Sequence, residues 1–257
     1  MQFFDTHCHL QDERFKNAAD TVIRQALDDG VEFFVCCGSS ESDWGDVAAL
    51  ARNWKQVIPA FGIHPWYQKS RSTEWLEHLR SFLDEFPAAA VAEIGLDHLH
   101  SSDDWNEQKN LFIQQLELAV ELNRPVSIHC LKAWGDLVSA FSSVQDLPVS
   151  VVLHSFSGSP EMVRVLEKMG CYFSFSGAVT YGKHAKIRKA AQLVDAERLL
   201  LETDSPDIPP VGYYGYTRPS AILQINRTVA SLRGLNELEM ADIVYKNALK
   251  CFKVHNG

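Results

Sequence analysis

The 257-residue chain predicts an α/β protein of the (β/α)8 class, a TIM barrel in a single domain spanning residues 1–257. Three observations point there. Eight short β-branched or aromatic runs alternate with longer amphipathic segments, ionisable residues recur at the ends of those runs, and no linker or charge block marks a boundary. Strands that each lead into a helix build a parallel sheet with helices outside it, and the length suits one barrel. A doubly wound open sheet shares the alternation, but no GxGxxG follows the first strand.

In chain order, strands are expected at Gln2–Thr6, Val31–Gly38, Val57–Ile63, Ala89–Leu96, Pro125–Cys130, Ser150–Ser155, Cys171–Ser176 and Leu199–Asp204. Between them, helices are expected near 17–29, 42–53, 73–85, 104–122, 132–145, 160–169 and 183–194. Two more follow the last strand, near 218–232 and 236–252. Within 104–122 the apolar positions Trp105, Leu111, Phe112, Leu116, Ala119 and Val120 recur at helical spacing rather than by alternation. Asn123-Arg124-Pro125 stops that helix, Ser159-Pro160 starts a later one, and Gly170 ends it.

Composition narrows the function. With 46% hydrophobic and 22% charged residues the chain reads as an ordinary globular protein. Its formal charge of −9 disfavours a protein that holds nucleic acid through a basic surface, since phosphate contacts need Lys and Arg. An enzyme that neutralises an anionic substrate with bound metal remains open. Cys8, Cys36, Cys37, Cys130, Cys171 and Cys251 form no CxxC pair, so neither a disulfide framework nor a thiolate zinc site is expected. The opening MQFFDTHCHL lacks a basic stretch before a long apolar run, so no signal peptide is expected. Nor does any apolar run approach the roughly 20 residues of a membrane helix. A cytoplasmic location, no membrane association and no obligate protein partner are the expectations.

Asp5, His7 and His9 alternate at the end of the first strand, so all three can point to one side, into the barrel mouth. Imidazoles and a carboxylate suit a borderline or hard divalent cation. A lone histidine on a strand is usually a structural hydrogen-bonder. Here, however, His64, Glu93, His129, His154 and the pair Glu202 and Asp204 fall late in other strands. Buried ionisable groups are costly unless paired or metal-bound, and in a parallel barrel these ends share one mouth. Cys8 and Cys130 alternate with ligand positions and should face away from it. Ser155, Ser157 and Ser205 lack the GxSxG setting of a nucleophile elbow.

The segments Asp5-Thr6-His7-Cys8-His9-Leu10, Gly62-Ile63-His64-Pro65, Glu93-Ile94-Gly95-Leu96-Asp97, Pro125-Val126-Ser127-Ile128-His129, His154-Ser155-Phe156-Ser157-Gly158 and Glu202-Thr203-Asp204-Ser205-Pro206 resemble successive motifs of the TatD family of metal-dependent hydrolases. Asn247-Ala248-Leu249-Lys250-Cys251-Phe252 resembles its closing helix. The resemblance implies an amidohydrolase-related TIM barrel, with phosphodiester hydrolysis by a DNase as the activity. It makes His7, His9, Glu93 and Asp204 ligands of one metal and Glu93, His129 and His154 ligands of a second, with Glu93 bridging. Two divalent ions per subunit (Zn, Mn or Mg) are implied as cofactors, and no carboxylated lysine is expected.

In that scheme Asp204 accepts the proton of the attacking water, and Glu93 and Asp204 are the catalytic carboxylates. Asp5 is expected to orient a ligand histidine from behind, or else to complete the metal environment, and His64 to hydrogen-bond substrate phosphate. Lys132 stands where many relatives carry Arg, which weakens the phosphate contact expected of that position. Lys183, His184, Lys186, Arg188 and Lys189 follow strand seven, where barrels of this class often bind phosphate, or else form a solvated first turn. Tyr213, Tyr214 and Tyr216 lie in the loop after strand eight, to stack on unpaired bases or simply to pack. The expected substrate is single-stranded or end-exposed DNA, bound weakly and transiently. The alternative is a small-molecule amidohydrolase or esterase using the same metals.

Overall fold

In the computed structural model, which describes residues 1–99 and 104–254, eight parallel strands form one sheet in the order β1 to β8. The elements run β1 (Phe3–Cys8), α1 (Ala19–Asp28), β2 (Val31–Cys37), α2 (Glu41–Asn53), β3 (Val57–Phe61), α3 (Trp75–Glu85), β4 (Ala90–Asp97) and α4 (Trp105–Glu121). They continue with β5 (Val126–Leu131), α5 (Trp134–Ser143), β6 (Val151–Leu153), α6 (Pro160–Glu167), β7 (Tyr172–Phe175), α7 (Ala185–Leu193), β8 (Leu199–Leu201), α8 (Ile222–Arg233) and α9 (Glu237–Cys251). This is the TIM barrel that the alternation predicts. Among the described residues no helix is long and apolar enough to cross a membrane.

The sheet closes between β1 and β8, and the closing bonds run through the candidate site. The Asp204 N–H donates to the His7 carbonyl at 2.9 Å, and the His9 N–H donates to the Ser205 carbonyl at 2.6 Å. Strands β6 and β8 are shorter than expected because the chain leaves the ladder at His154 and Glu202. Just beyond, Ser155 and Asp204 adopt φ of 41° and 55°, the left-handed region that swings a residue out of the strand direction.

Two apolar layers hold the barrel. Inside it, Phe4, Val35, Cys37, Ile58, Ala60, Ala90, Ala92, Val152 and Leu200 pack together, and α9 covers one end with Tyr245, Ala248, Cys251 and Phe252. Outside it, the alternate strand residues Phe34, Phe61, Phe173 and Phe175 pack against helical Trp44, Leu79, Phe112 and Leu116. Each fully buried Leu, Ile or Phe contributes about 1.5–3 kcal/mol. One glycine is set by this packing. Gly95, at φ 152°, pairs with His129, and a Cβ there would lie 1.8 Å from the His129 carbonyl oxygen.

Candidate metal centre

At the C-terminal ends of the strands, His7, His9, Glu93, His129, His154 and Asp204 converge, as the strand-end pattern predicts. The two oxygens of Glu93 face different partners. Oε2 lies 3.6 Å from both His7 Nε2 and His9 Nε2. Oε1 lies 3.1 Å from His154 Nε2 and 3.4 Å from His129 Nδ1. Asp204 Oδ1 completes the first group, 3.8 Å from His7 and 3.5 Å from His9. His7, His9 and Asp204 offer donor atoms close enough to share one ion, and His64, Glu93 and His129 form a second such group.

Backbone and carboxylate partners decide which nitrogen of each histidine points inward. His9 Nδ1 lies 2.8 Å from the Cys37 carbonyl, which can only accept, so a neutral ring keeps its lone pair on Nε2. His154 Nδ1 is held by Glu202 at 3.0 Å, leaving Nε2 for the centre. His129 is turned the other way: Asp97 takes its Nε2–H at 3.1 Å, leaving Nδ1 toward Glu93. His7 Nδ1 meets the Ser127 hydroxyl at 2.9 Å, and its ring stacks on His154 with centroids 3.9 Å apart. These are the outer partners that fix ring orientation and raise basicity in metal sites.

His64 is oriented oppositely. The Trp66 N–H donates to His64 Nδ1 at 3.1 Å, so in the neutral ring the proton sits on Nε2, which points at Glu93 Oε1 from 3.5 Å. A nitrogen that carries a proton is a donor and not a metal ligand. Burial, together with the neighbouring His129 and His154, pulls His64 down to about 3, against the pull of Glu93, so the ring is neutral at physiological pH.

The carboxylates are anions despite burial. Burial alone would raise Glu93, but the neighbouring His64 and His154 and hydrogen bonds from His129 and His154 hold it well below its usual range. Asp204 is likewise brought to about 2, burial being outweighed by His154, His9 and His7. Burial pulls His9 down, yet its hydrogen bond to Asp204 and the charges of Glu93 and Asp204 lift it to about 9. Once the raised histidines release their protons, four imidazoles and two anionic carboxylates form a donor set that fits divalent cations such as Zn, Mn or Mg.

Asp5 departs from its expected place. Thr6 reaches Ser174 across the barrel and the next residue, His7, reaches Ser127, so simple alternation fails in β1, where the register with β2 is irregular between Asp5 and Cys8. Asp5 instead accepts the Thr203 N–H at 2.8 Å and its hydroxyl at 2.5 Å. It holds the backbone beside Asp204 rather than a histidine ring. Lys132 is exposed, at φ 55°, and is not among the residues that line the cleft over the centre. Of the basic group after β7, His184 and Arg188 donate to the Ala178 and Val179 carbonyls, and Lys183 lies over the Tyr181 ring.

Asp97 and Glu202, absent from the expected ligand set, are the carboxylates that orient His129 and His154. Their signal was present: each is an acid in an apolar strand end, four residues after Glu93 and two before Asp204. All six cysteines are buried, and burial pushes Cys36 up to about 12, so none supplies a thiolate. The centre opens into a cleft of about 910 Å³ whose rim includes Ser39, Asp43, Trp66 and Tyr67.

The chain is similar to known metal-dependent hydrolases along its whole length. The family model for TatD related DNase matches residues 4–253. The metal-dependent hydrolase YjjV of Escherichia coli K12 is 30% identical over 256 residues, covering 98% of each chain. Its crystal structure, described as a TatD homologue, superposes with a TM-score of 0.93 over 98% of both chains. The metal-dependent hydrolase YabD of Bacillus subtilis is 29% identical over 98% of this chain and 99% of its own. A TatD-family hydrolase from Entamoeba histolytica, 19% identical, shares the fold with a TM-score of 0.87 over 98% of both chains.

Proposed function

Because the chain belongs to the TatD family of metal-dependent hydrolases, we propose that it is a deoxyribonuclease that hydrolyses phosphodiester bonds of single-stranded or end-exposed DNA at a dinuclear metal centre. One observation carries the reading: Glu93 presents Oε2 to His7 and His9 and Oε1 to His129 and His154. A carboxylate placed between two sets of inward lone pairs is the arrangement of a bridge. His7, His9 and Asp204 would hold one ion, and His129 and His154 the other, with Glu93 shared.

Two divalent cations held there would supply a more acidic water and polarisation of a P–O bond. The remaining work falls to side chains. Asp204, anionic and 3.5 Å from His9, accepts the proton of the attacking water. His64, whose Nε2–H points into the centre, donates to a non-bridging phosphate oxygen. Asp97 and Glu202 hold their histidines in the ligating tautomer as charge develops. The net charge of −9 gives no long electrostatic footprint, which favours a strand end entering the cleft over intact duplex.

The test uses purified protein with labelled single-stranded DNA, alongside small phosphoesters and cyclic amides. Cleavage of the strand that is lost on chelation, restored by added metal and absent in Glu93→Ala is expected. Turnover of amides without any cleavage of DNA would replace this reading with a small-molecule amidohydrolase.

A further inference from the structure

Beside the metal centre lies a second cleft, of about 500 Å³, formed by residues 14–22 and by the loop after β8, residues 213–218. Its floor is apolar, with Phe15 and Val22 buried beneath. Its walls are aromatic and cationic: Tyr214, Tyr216, Arg14 and Arg218. Arg14 lines both clefts, so the two adjoin at this residue. The volume lies within the roughly 300–1,000 Å³ typical of small-ligand sites.

Arg14 is held as a plate. Asp12 accepts from its Nε at 2.7 Å and its Nη2 at 2.8 Å, and Asp207 accepts from Nη1 at 2.7 Å and Nη2 at 2.8 Å. Two bidentate carboxylates fix the guanidinium plane and offset its charge, leaving its faces for stacking. Tyr216 lies over one of them, 5.4 Å from ring centroid to guanidinium carbon. Tyr214 is 95% exposed and Tyr216 59% exposed, so both rings are open to a ligand. Large aromatic rings left in water beside a site are a cost to the free protein that a stacked ligand removes.

Asp12 and Asp207 offset the charge of Arg14, and the flat aromatic and guanidinium surfaces of the cleft suit an uncharged π-face. We propose that it is a nucleobase subsite, which takes an unpaired base flanking the phosphodiester bound at the metal centre. This rests on the deoxyribonuclease reading of that centre and deepens it. Stacking of this kind accepts any base, because every base has a π-face. It would also explain a preference for single strands, since a paired base cannot turn into the cleft. The ligand class is therefore a polynucleotide with unpaired bases at its end.

The test compares single-stranded oligonucleotides of one length, with natural bases or with abasic sugars, on the metal-loaded protein. Steady-state cleavage gives KM and kcat, and fluorescence anisotropy with phosphorothioate strands gives affinity without cleavage. The base-bearing strand is expected to bind about 5- to 150-fold more tightly than the abasic one, equivalent to ~1–3 kcal/mol. In the double variant Tyr214→Ala, Tyr216→Ala this preference falls toward unity, with KM raised and kcat retained. Tyr214→Trp, which keeps an aromatic ring at that position, retains it. Because Tyr214 projects into solvent, its replacement leaves the fold intact. If wild-type protein cuts both strands with equal KM, the base subsite is wrong and the deoxyribonuclease reading stands. If it cuts neither, that reading fails, and anisotropy still decides the cleft: equal affinity overturns the subsite, whereas a preference lost in the double variant supports it.

Discussion

Replacing Glu202 isolates how the second layer of carboxylates prepares the centre. One oxygen of this buried residue accepts both the His154 Nδ1–H at 3.0 Å and the Ser155 N–H at 2.6 Å, while Oε2 has no hydrogen-bond partner. Glu202→Ala strands two buried donors, each costing ~1–3 kcal/mol. The sum of ~2–6 kcal/mol is set against a total stability of ~5–15 kcal/mol, so the variant folds with a lowered Tm. His154 then loses the acceptor that keeps its lone pair on Nε2, and metal affinity falls about 10- to 100-fold. Glu202→Gln keeps a carbonyl in the same place and should lose much less affinity, its amide nitrogen occupying the position of the unpartnered oxygen. Calorimetric titration of metal into each variant, with circular dichroism to confirm folding, measures the effect. A folded Glu202→Ala variant that binds metal as tightly as wild type would refute the tautomer argument.

Three other outcomes follow from the same geometry. His64→Ala should retain its metal content by elemental analysis while kcat falls about 10- to 100-fold, the scale of a lost hydrogen bond to a charged group; loss of metal instead would make His64 a ligand. Metal affinity should rise about tenfold per pH unit from pH 6 to about 9 for one displaced proton, because His9, lifted to about 9, must lose its proton to ligate. Titrations at pH 6, 7, 8 and 9 check that sign, and affinity that is flat or falls over this range would contradict it. Gly95→Ala places a Cβ 1.8 Å from the His129 carbonyl at a φ disfavoured for L-residues. A loss of about 3 kcal/mol is expected, seen as a Tm lower by roughly 6–12 °C in a thermal melt.

Much of this architecture was legible because it rests on local periodicity. The eight apolar runs became eight strands in sequential order, and His7, His9, Glu93, His129, His154 and Asp204 do meet at one mouth. Parallel strands deliver their ends to the same place, so position in each run sufficed. What escaped depended on contacts between distant strands. Alternation put Asp5 with His7 and His9, but the irregular register of β1 turns it to Thr203. Which ring nitrogen faces inward depends on a partner 28 to 48 residues away in the chain, as for His9, His129 and His154. The plate formed by Arg14 requires Asp207, 193 residues on. Lys132 aligned with a binding position by motif, yet a left-handed backbone at that residue leaves it outside the cleft lining.

In the proposed centre Glu93 would bridge two metal ions. Crystals of the protein soaked in manganese, with anomalous differences collected on either side of the manganese absorption edge, test it in one measurement. Two peaks are expected, one beside Glu93 Oε2 among His7, His9 and Asp204, the other beside Oε1 with His129 and His154. A single peak, or peaks that leave Glu93 outside the coordination, would contradict the assignment.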